Sequence, residues 1–319
     1  MTAAFTFPGQ GSQAVGMGKA LADAFPVARA VFDEVDAALG DRLTAIIWDG
    51  PAETLQLTEN AQPALMAVSI ATLRVLETEA GFSVGRDAAY VAGHSLGEYS
   101  ALAAADSLSL ADTARLLRTR GLAMQKAVPV GAGAMAALLG LDFEAAVAVA
   151  SEAAQDQICH AANDNGGGQV VVSGDKAAVD RAVEIAKNKG AKRAMLLPVS
   201  APFHCKLMQP AADVMAEGLA GVTIKVPAAP LVSNVLASAI TDPDEIRRRL
   251  IEQVTGTVRW RESVAYMAQH GVTRFFEIGA GKVLSGLVKR IADGAVGVSV
   301  GGPNDIAPAK EALAAARAT

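Results

Sequence analysis

Short unbroken apolar runs alternate along this chain with stretches in which apolar residues recur every three or four positions, the texture of an α/β protein. Ala3–Phe7 predicts a strand ending in the turn Pro8-Gly9-Gln10-Gly11. Helical periodicity follows over Lys19–Leu39, where Pro26 breaks or kinks the run, and again over Pro63–Glu79, with Asn60 as a cap. Ala88–Gly93 predicts a buried strand that runs into Ser95, and a helix-like run starts just after it. Ser109-Leu110-Ala111-Asp112 has the form of a capping box and predicts a helix to about Lys126.

The texture then changes. Gly133–Leu141 predicts a strand, Phe143–Ala154 a helix, Ile158–Ala162 and Gln169–Ser173 two strands joined by the turn Asn163–Gly168, Lys176–Lys189 a helix and Ala194–Val199 a last strand. The order β-α-β-β-α-β is that of a ferredoxin-like unit. Beyond Pro198 the earlier pattern resumes, with strands predicted at Thr273–Ile278 and Val296–Val300 around a helix at Lys282–Ala292. The expected architecture is one large α/β subdomain made from residues 1–127 and 198–319, with a small subdomain inserted at residues 128–197.

Composition narrows the class. Of 319 residues, 51% are hydrophobic and 19% charged, which supports a sizeable core and excludes wholesale disorder. Aromatics at only 4% favour α/β layering over an aromatic-rich sandwich. The formal net charge of −5 argues against nucleic acid as a partner. Cys159 and Cys205 are too few for a disulfide framework and form no CxxC pair for zinc. The N-terminus lacks a basic segment followed by an apolar run, and no stretch approaches a membrane span, so a soluble cytoplasmic protein is expected.

Gly93-His94-Ser95-Leu96-Gly97, lying between an apolar strand and a helix, is the signature of a nucleophile elbow. Glycines on both sides let the chain turn sharply, so the serine stands at a helix N-terminus among free backbone N–H groups. Its base must come from four histidines. His94 adjoins the nucleophile and should leave the turn in another direction; His160 lies in a predicted strand; His270, before Gly271, suits a helix C-terminus. His204 follows Ser200-Ala201-Pro202-Phe203, in a loop where the chain returns from the insertion, and is the candidate that can face the elbow. Asp106, Asp112 and Asp142 fall between serine and histidine, but none sits at an evident strand end, so no triad acid is established.

Four segments in order, Phe7-Pro8-Gly9-Gln10-Gly11-Ser12-Gln13, Gly93-His94-Ser95-Leu96-Gly97-Glu98, Arg118-Thr119-Arg120-Gly121 and Ser200-Ala201-Pro202-Phe203-His204-Cys205, resemble the malonyl-CoA:acyl carrier protein transacylases. The resemblance extends through Phe276-Glu277-Ile278-Gly279 and Lys282-Val283-Leu284, and so spans nearly the whole chain. It implies an α/β-hydrolase-like large subdomain with an inserted ferredoxin-like small subdomain. It further implies that Ser95 is the acylated nucleophile, His204 its base, and the backbone N–H groups of Gln10 and Leu96 the oxyanion hole. Arg120 would grip the free carboxylate of a malonyl group, which a planar guanidinium can hold through two parallel charge-assisted hydrogen bonds. In the family a backbone carbonyl orients the histidine, commonly from a glutamine just before a tryptophan; here Arg259 precedes Trp260 and is the corresponding expectation.

The activity so implied is two-step transfer of malonyl from coenzyme A to the phosphopantetheine thiol of acyl carrier protein, with no metal or other cofactor, by a monomer serving fatty acid biosynthesis. Carrier proteins of this kind are acidic, so an acidic chain needs a local basic patch to receive one. Lys189, Lys192 and Arg193, with Lys289 and Arg290, are the densest basic clusters and the expected docking rim. Two rivals remain at this point: a serine hydrolase using the same elbow, and a non-enzymatic protein that binds coenzyme A or the carrier. A dinucleotide site at Gly279-Ala280-Gly281 is weak, because the next glycine is Gly286.

Overall fold

The computed structural model describes residues 3–317. Among the described residues, ten strands run in chain order as β1 (Ala3–Phe7), β2 (Tyr90–Gly93), β3 (Gly133–Leu139), β4 (Cys159–Asp164), β5 (Gln169–Asp175), β6 (Arg193–Leu196), β7 (Leu231–Val232), β8 (Ala239–Ile240), β9 (Arg274–Ile278) and β10 (Val296–Val300). They build two sheets in a mixed α/β fold, one ordered β10-β9-β1-β2-β7-β8 and one ordered β4-β5-β3-β6.

The larger sheet is parallel from β10 to β7, and only β8 turns back antiparallel. Its strands read as continuous apolar runs because helices cover both faces, leaving Ala3, Ala4, Phe5 and Phe7 of β1 essentially without solvent contact. Parallel register places Phe7 opposite Gly93, so β1 and β2 end side by side. That one fact brings the Pro8–Gly11 turn against the Ser95 elbow, although they lie more than eighty positions apart. The approach needs glycine. A Cβ on Gly9 would lie 2.7 Å from the His94 carbonyl oxygen, and one on Gly97 would lie 2.3 Å from the Phe7 carbonyl oxygen. Gly97→Ala should therefore cost about 1–3 kcal/mol of stability, read from the denaturation midpoint, and push the elbow away from β1.

The smaller sheet is antiparallel throughout. The helices Phe143–Ala154 and Lys176–Asn188 pack on it around a core that includes Leu138, Val149, Val172 and Val179. It is stitched to the larger body along one segment: the Asp164 amide donates to the Val258 carbonyl, the Val258 amide donates to the Ala162 carbonyl, both at 2.9 Å, and buried Asp164 pairs with Arg261 at 2.7 Å.

Pattern reading located most elements to within a few residues, and Phe143–Ala154 and Val296–Val300 coincide with it. Pro26 does divide the early run, into Lys19–Ala24 and Pro26–Leu39. Ser109 caps Leu110–Lys126 by accepting from the Asp112 amide at 3.0 Å. Asn60 is a correction. The helix begins at Thr58, so Asn60 lies within its first turn and donates to the Thr54 carbonyl instead. Pro63 lies inside this helix, at its sixth residue, and leaves the Glu59 carbonyl without the usual i−4 amide donor. Both cysteines are free and buried. Among the described residues no helix is long and apolar enough to cross a membrane.

Candidate active site

Ser95 sits between β2 and the helix Gly97–Ala104 with φ of 53°, in the left-handed region that a non-glycine residue occupies only when its surroundings hold it there. Asn234 supplies much of that restraint, accepting from the Ser95 amide at 2.8 Å and donating to the Gly93 carbonyl at 2.7 Å. The turn points Oγ into a cleft of about 540 Å³ between the two sheets, lined among others by Gln10, Gln62, Leu96, Arg120, Phe203 and His204.

His204 meets the serine, its Nε2 lying 2.7 Å from Ser95 Oγ. Nδ1 lies 2.9 Å from the Gln253 carbonyl oxygen, which can only accept, so Nδ1 carries the hydrogen and Nε2 is left as the acceptor for the serine hydroxyl. Burial, reinforced by the Arg120 charge, pulls the His204 pKa down to about 3, so the ring is neutral at physiological pH and able to take a proton. The other histidines point elsewhere. His94 is buried with Nε2 2.9 Å from Asn165 Oδ1, half-buried His160 pairs across to Ser173 in the small sheet, and His270 is held by the Tyr266 carbonyl.

The expectation for Arg259 is overturned. Arg259 stands immediately before the helix Trp260–Gln269, and its carbonyl is taken by the first turn, accepting from the Ser263 amide and hydroxyl at 2.9 Å each. Its side chain pairs with Glu262. The carbonyl that faces His204 belongs to Gln253, at the end of the helix Pro243–Gln253, where carbonyls lack intrahelical partners.

Arg120 is 1% exposed, in the helix Leu110–Lys126, and aims its guanidinium at the same spot. Nη1 donates to Gln62 Oε1 at 2.7 Å, and Nη2 donates to Gln253 Oε1 at 2.7 Å and to Ser95 Oγ at 3.1 Å. Its Nε has no acceptor, and among the described residues no carboxylate forms an ion pair with it. Burial pulls its pKa down from the usual arginine value, yet a guanidinium remains charged at neutral pH. The cleft thus contains a buried cation, held open by two neutral amides, beside a serine hydroxyl.

The amides of Gln10 and Leu96 flank Ser95 and donate to no acceptor among the described residues. The Gln10 side chain is fixed to the site from the other end: its Oε1 accepts from the Thr58 hydroxyl at 2.9 Å, which accepts from Gln62 Nε2 at 2.8 Å. Gln62, Gln253, Asn234 and Glu98 are site residues that pattern reading missed. The basic clusters lie at the surface, with Lys189 paired to Glu152 at 2.6 Å. They also converge: a Cβ on Gly140 would touch the Lys192 stem, one on Gly167 would touch the Arg290 stem, and the Gly140 amide donates to the Gly168 carbonyl at 2.7 Å. Lys192 and Arg290 therefore share one edge, at the Asn165–Gln169 turn that also lines the cleft.

A strained serine on a strand-to-helix turn, a neutral histidine on its hydroxyl and free amides beside it thus meet in one cleft, and the chain belongs to the acyl transferase domain family, whose model matches residues 4–302. It is 47% identical over 308 residues to the malonyl CoA-acyl carrier protein transacylase of Escherichia coli, with 97% of this chain and 98% of that protein covered. The protein of the same name from Bacillus subtilis is 47% identical over 311 residues, covering 97% and 96%. An acyl-carrier-protein-S-malonyltransferase structure from Bartonella henselae superposes with a TM-score of 0.96 at 55% identity, covering 98% of this chain and 100% of that one. A type II PKS acyl-carrier protein in complex with its malonyl-transacylase also matches, with a TM-score of 0.94 at 43% identity, covering 98% and 100%.

Proposed function

We infer that this chain transfers a malonyl group from malonyl-CoA to the phosphopantetheine thiol of acyl carrier protein, through a malonyl ester on Ser95, and so supplies fatty acid biosynthesis. The observation that carries the reading is the buried Arg120 guanidinium, paired with no carboxylate among the described residues and 3.1 Å from the Ser95 hydroxyl. A carboxylate seated there holds its other end, the thioester carbonyl, next to the nucleophile. The names of the relatives and the carrier-protein complex support the same substrates.

The chemistry follows from the geometry. His204 Nε2 accepts the Ser95 proton as Oγ attacks the thioester carbonyl, whose oxygen gathers negative charge between the Gln10 and Leu96 amides. The carbon–sulfur bond breaks and the coenzyme A thiolate collects the proton from His204. The carrier's thiol then gives its proton to His204, attacks the ester, and leaves with the malonyl group as Ser95 is reprotonated. Both steps proceed with a Ser–His dyad held by the Gln253 carbonyl, without a metal or other cofactor. Residues 1–127 and 198–319 act as an α/β-hydrolase-like subdomain and residues 128–197 as a ferredoxin-like insertion that closes the cleft from the other side. The enzyme works as a cytoplasmic monomer.

Intact-protein mass spectrometry tests the reading. Malonyl-CoA should add one malonyl group, holo carrier protein should remove it, and acetyl-CoA should label far less. Rapid sustained release of coenzyme A without acceptor would make the chain a hydrolase instead. The shared edge of Lys192 and Arg290 supports docking of an acidic carrier there, with Lys189, Arg193 and Lys289 widening the rim. Lys192→Glu combined with Lys289→Glu should raise the KM for carrier protein about tenfold and leave malonyl-CoA kinetics unchanged. An unchanged KM removes this rim from the docking surface.

A further inference from the structure

Glu98 lies three residues after the nucleophile, in the first turn of the helix Gly97–Ala104, with no solvent exposure. Its Oε1 accepts from the Asn234 amide at 3.2 Å and its Oε2 accepts from Gln253 Nε2 at 2.7 Å. Burial pushes its carboxyl up to about 7, against the pull of those donors and of Arg120. A buried carboxylate with no part in proton transfer is costly to keep, so what it holds in place matters.

Glu98 holds one amide. Both Glu98 oxygens act as acceptors, so the Gln253 amide turns its nitrogen toward Glu98 and its oxygen the other way. The second N–H of that nitrogen donates to the Ser95 carbonyl at 2.9 Å, and the oxygen receives Arg120 Nη2 at 2.7 Å. Reversing the amide would set its NH₂ against the guanidinium and its oxygen against the carboxylate. We propose that Glu98 is a positioning residue for substrate selection: it fixes the polarity of the Gln253 amide and thereby aims Arg120 at the carboxylate of the acyl group. The arrangement also solves a charge problem. Glu98 balances buried Arg120 from one amide away, which keeps the guanidinium charged without occupying the face that an incoming carboxylate needs. A carboxylate in direct contact with Arg120 would have to be displaced by substrate.

This inference rests on the reading that Arg120 receives the substrate carboxylate, and its test separates the two. Acyl loading of Ser95 from malonyl-CoA and from acetyl-CoA is measured for Glu98→Gln, Arg120→Ala and the double variant, each checked for folding by its melting curve. The neutral amide of Glu98→Gln can donate as well as accept, so the Gln253 side chain loses its fixed sense. Malonyl loading should fall about 30-fold and acetyl loading less than about fivefold, with less than about twofold further malonyl loss in the Arg120→Ala background. Equal loss for the two acyl groups, or fully multiplicative loss in the double variant, overturns the role of Glu98. An Arg120→Ala variant without malonyl-selective loss overturns the carboxylate reading, and the Glu98 role falls with it. Where Glu98→Gln does not fold, Gln253→Met decides. It keeps the main-chain carbonyl on His204 while deleting the amide, and should also lose malonyl loading selectively, whereas an equal loss for both acyl groups rejects the proposal.

Discussion

Ser95→Ala should carry no acyl group after any exposure to malonyl-CoA, while keeping its fold and its affinity for the thioester. The serine Oγ has the His204 ring on one side and backbone amides with no acceptor among the described residues on the other. Removing it deletes the covalent intermediate without touching the Asn234 bonds that hold the elbow, because those run to the main chain. His204→Ala should be comparably inactive, with loading slowed on the order of 10⁴-fold, since nucleophile and base act as a unit and losing either forfeits most of what both supply. The two variants should differ in one respect. Raising the pH should partly restore His204→Ala, where hydroxide can deprotonate the serine, and should do nothing for Ser95→Ala. Acylation of Ser95→Ala at another residue would move the nucleophile elsewhere.

The parts of this site that sequence displayed are those with local causes. The elbow needs glycine on both sides of a sharp turn, and Gly93 and Gly97 announce it. His204 stood out because its three competitors were each tied to a strand, a turn or a helix end. The parallel order of β1 and β2 follows from apolar strands separated by helices, and it carries Gln10 to the elbow. The remaining residues act across the chain. Gln253 reaches Ser95 and Glu98 from 158 and 155 positions away, and Asn234 reaches Ser95 from 139. No periodicity or spacing marks a glutamine at a helix C-terminus as the one whose carbonyl will meet a histidine. The same limit explains Arg259. Its place before a tryptophan suggested the orienting carbonyl, but a residue that opens a helix has its carbonyl claimed by the first turn, whereas one that closes a helix has it free. Asn60 fails as a cap because the helix starts at Thr58, five residues before the apolar periodicity that begins at Pro63.

Arg120→Ala should discriminate between acyl groups more sharply than any other single change. The guanidinium is buried, meets no protein carboxylate among the described residues, and is presented by two amide oxygens at 2.7 Å. A malonyl carboxylate entering this cleft sheds its water and is repaid only by that charge. With alanine in place it is left unpaired, a loss of about 3–5 kcal/mol, which corresponds to a fall in kcat/KM for malonyl-CoA on the order of 10²- to 10⁴-fold. Acetyl-CoA has no carboxylate to strand, so its loading should change by less than about tenfold, and the hydrogen bond from Nη2 to Ser95 Oγ accounts for most of that. Arg120→Lys should recover little of the malonyl rate, because an ammonium cannot reach Gln62 Oε1, Gln253 Oε1 and a carboxylate together in the planar fork that the guanidinium provides. Measuring both acyl donors on both variants isolates the carboxylate: a parallel drop for malonyl and acetyl would mean that Arg120 serves only the architecture around Ser95 and does not select the dicarboxylic group.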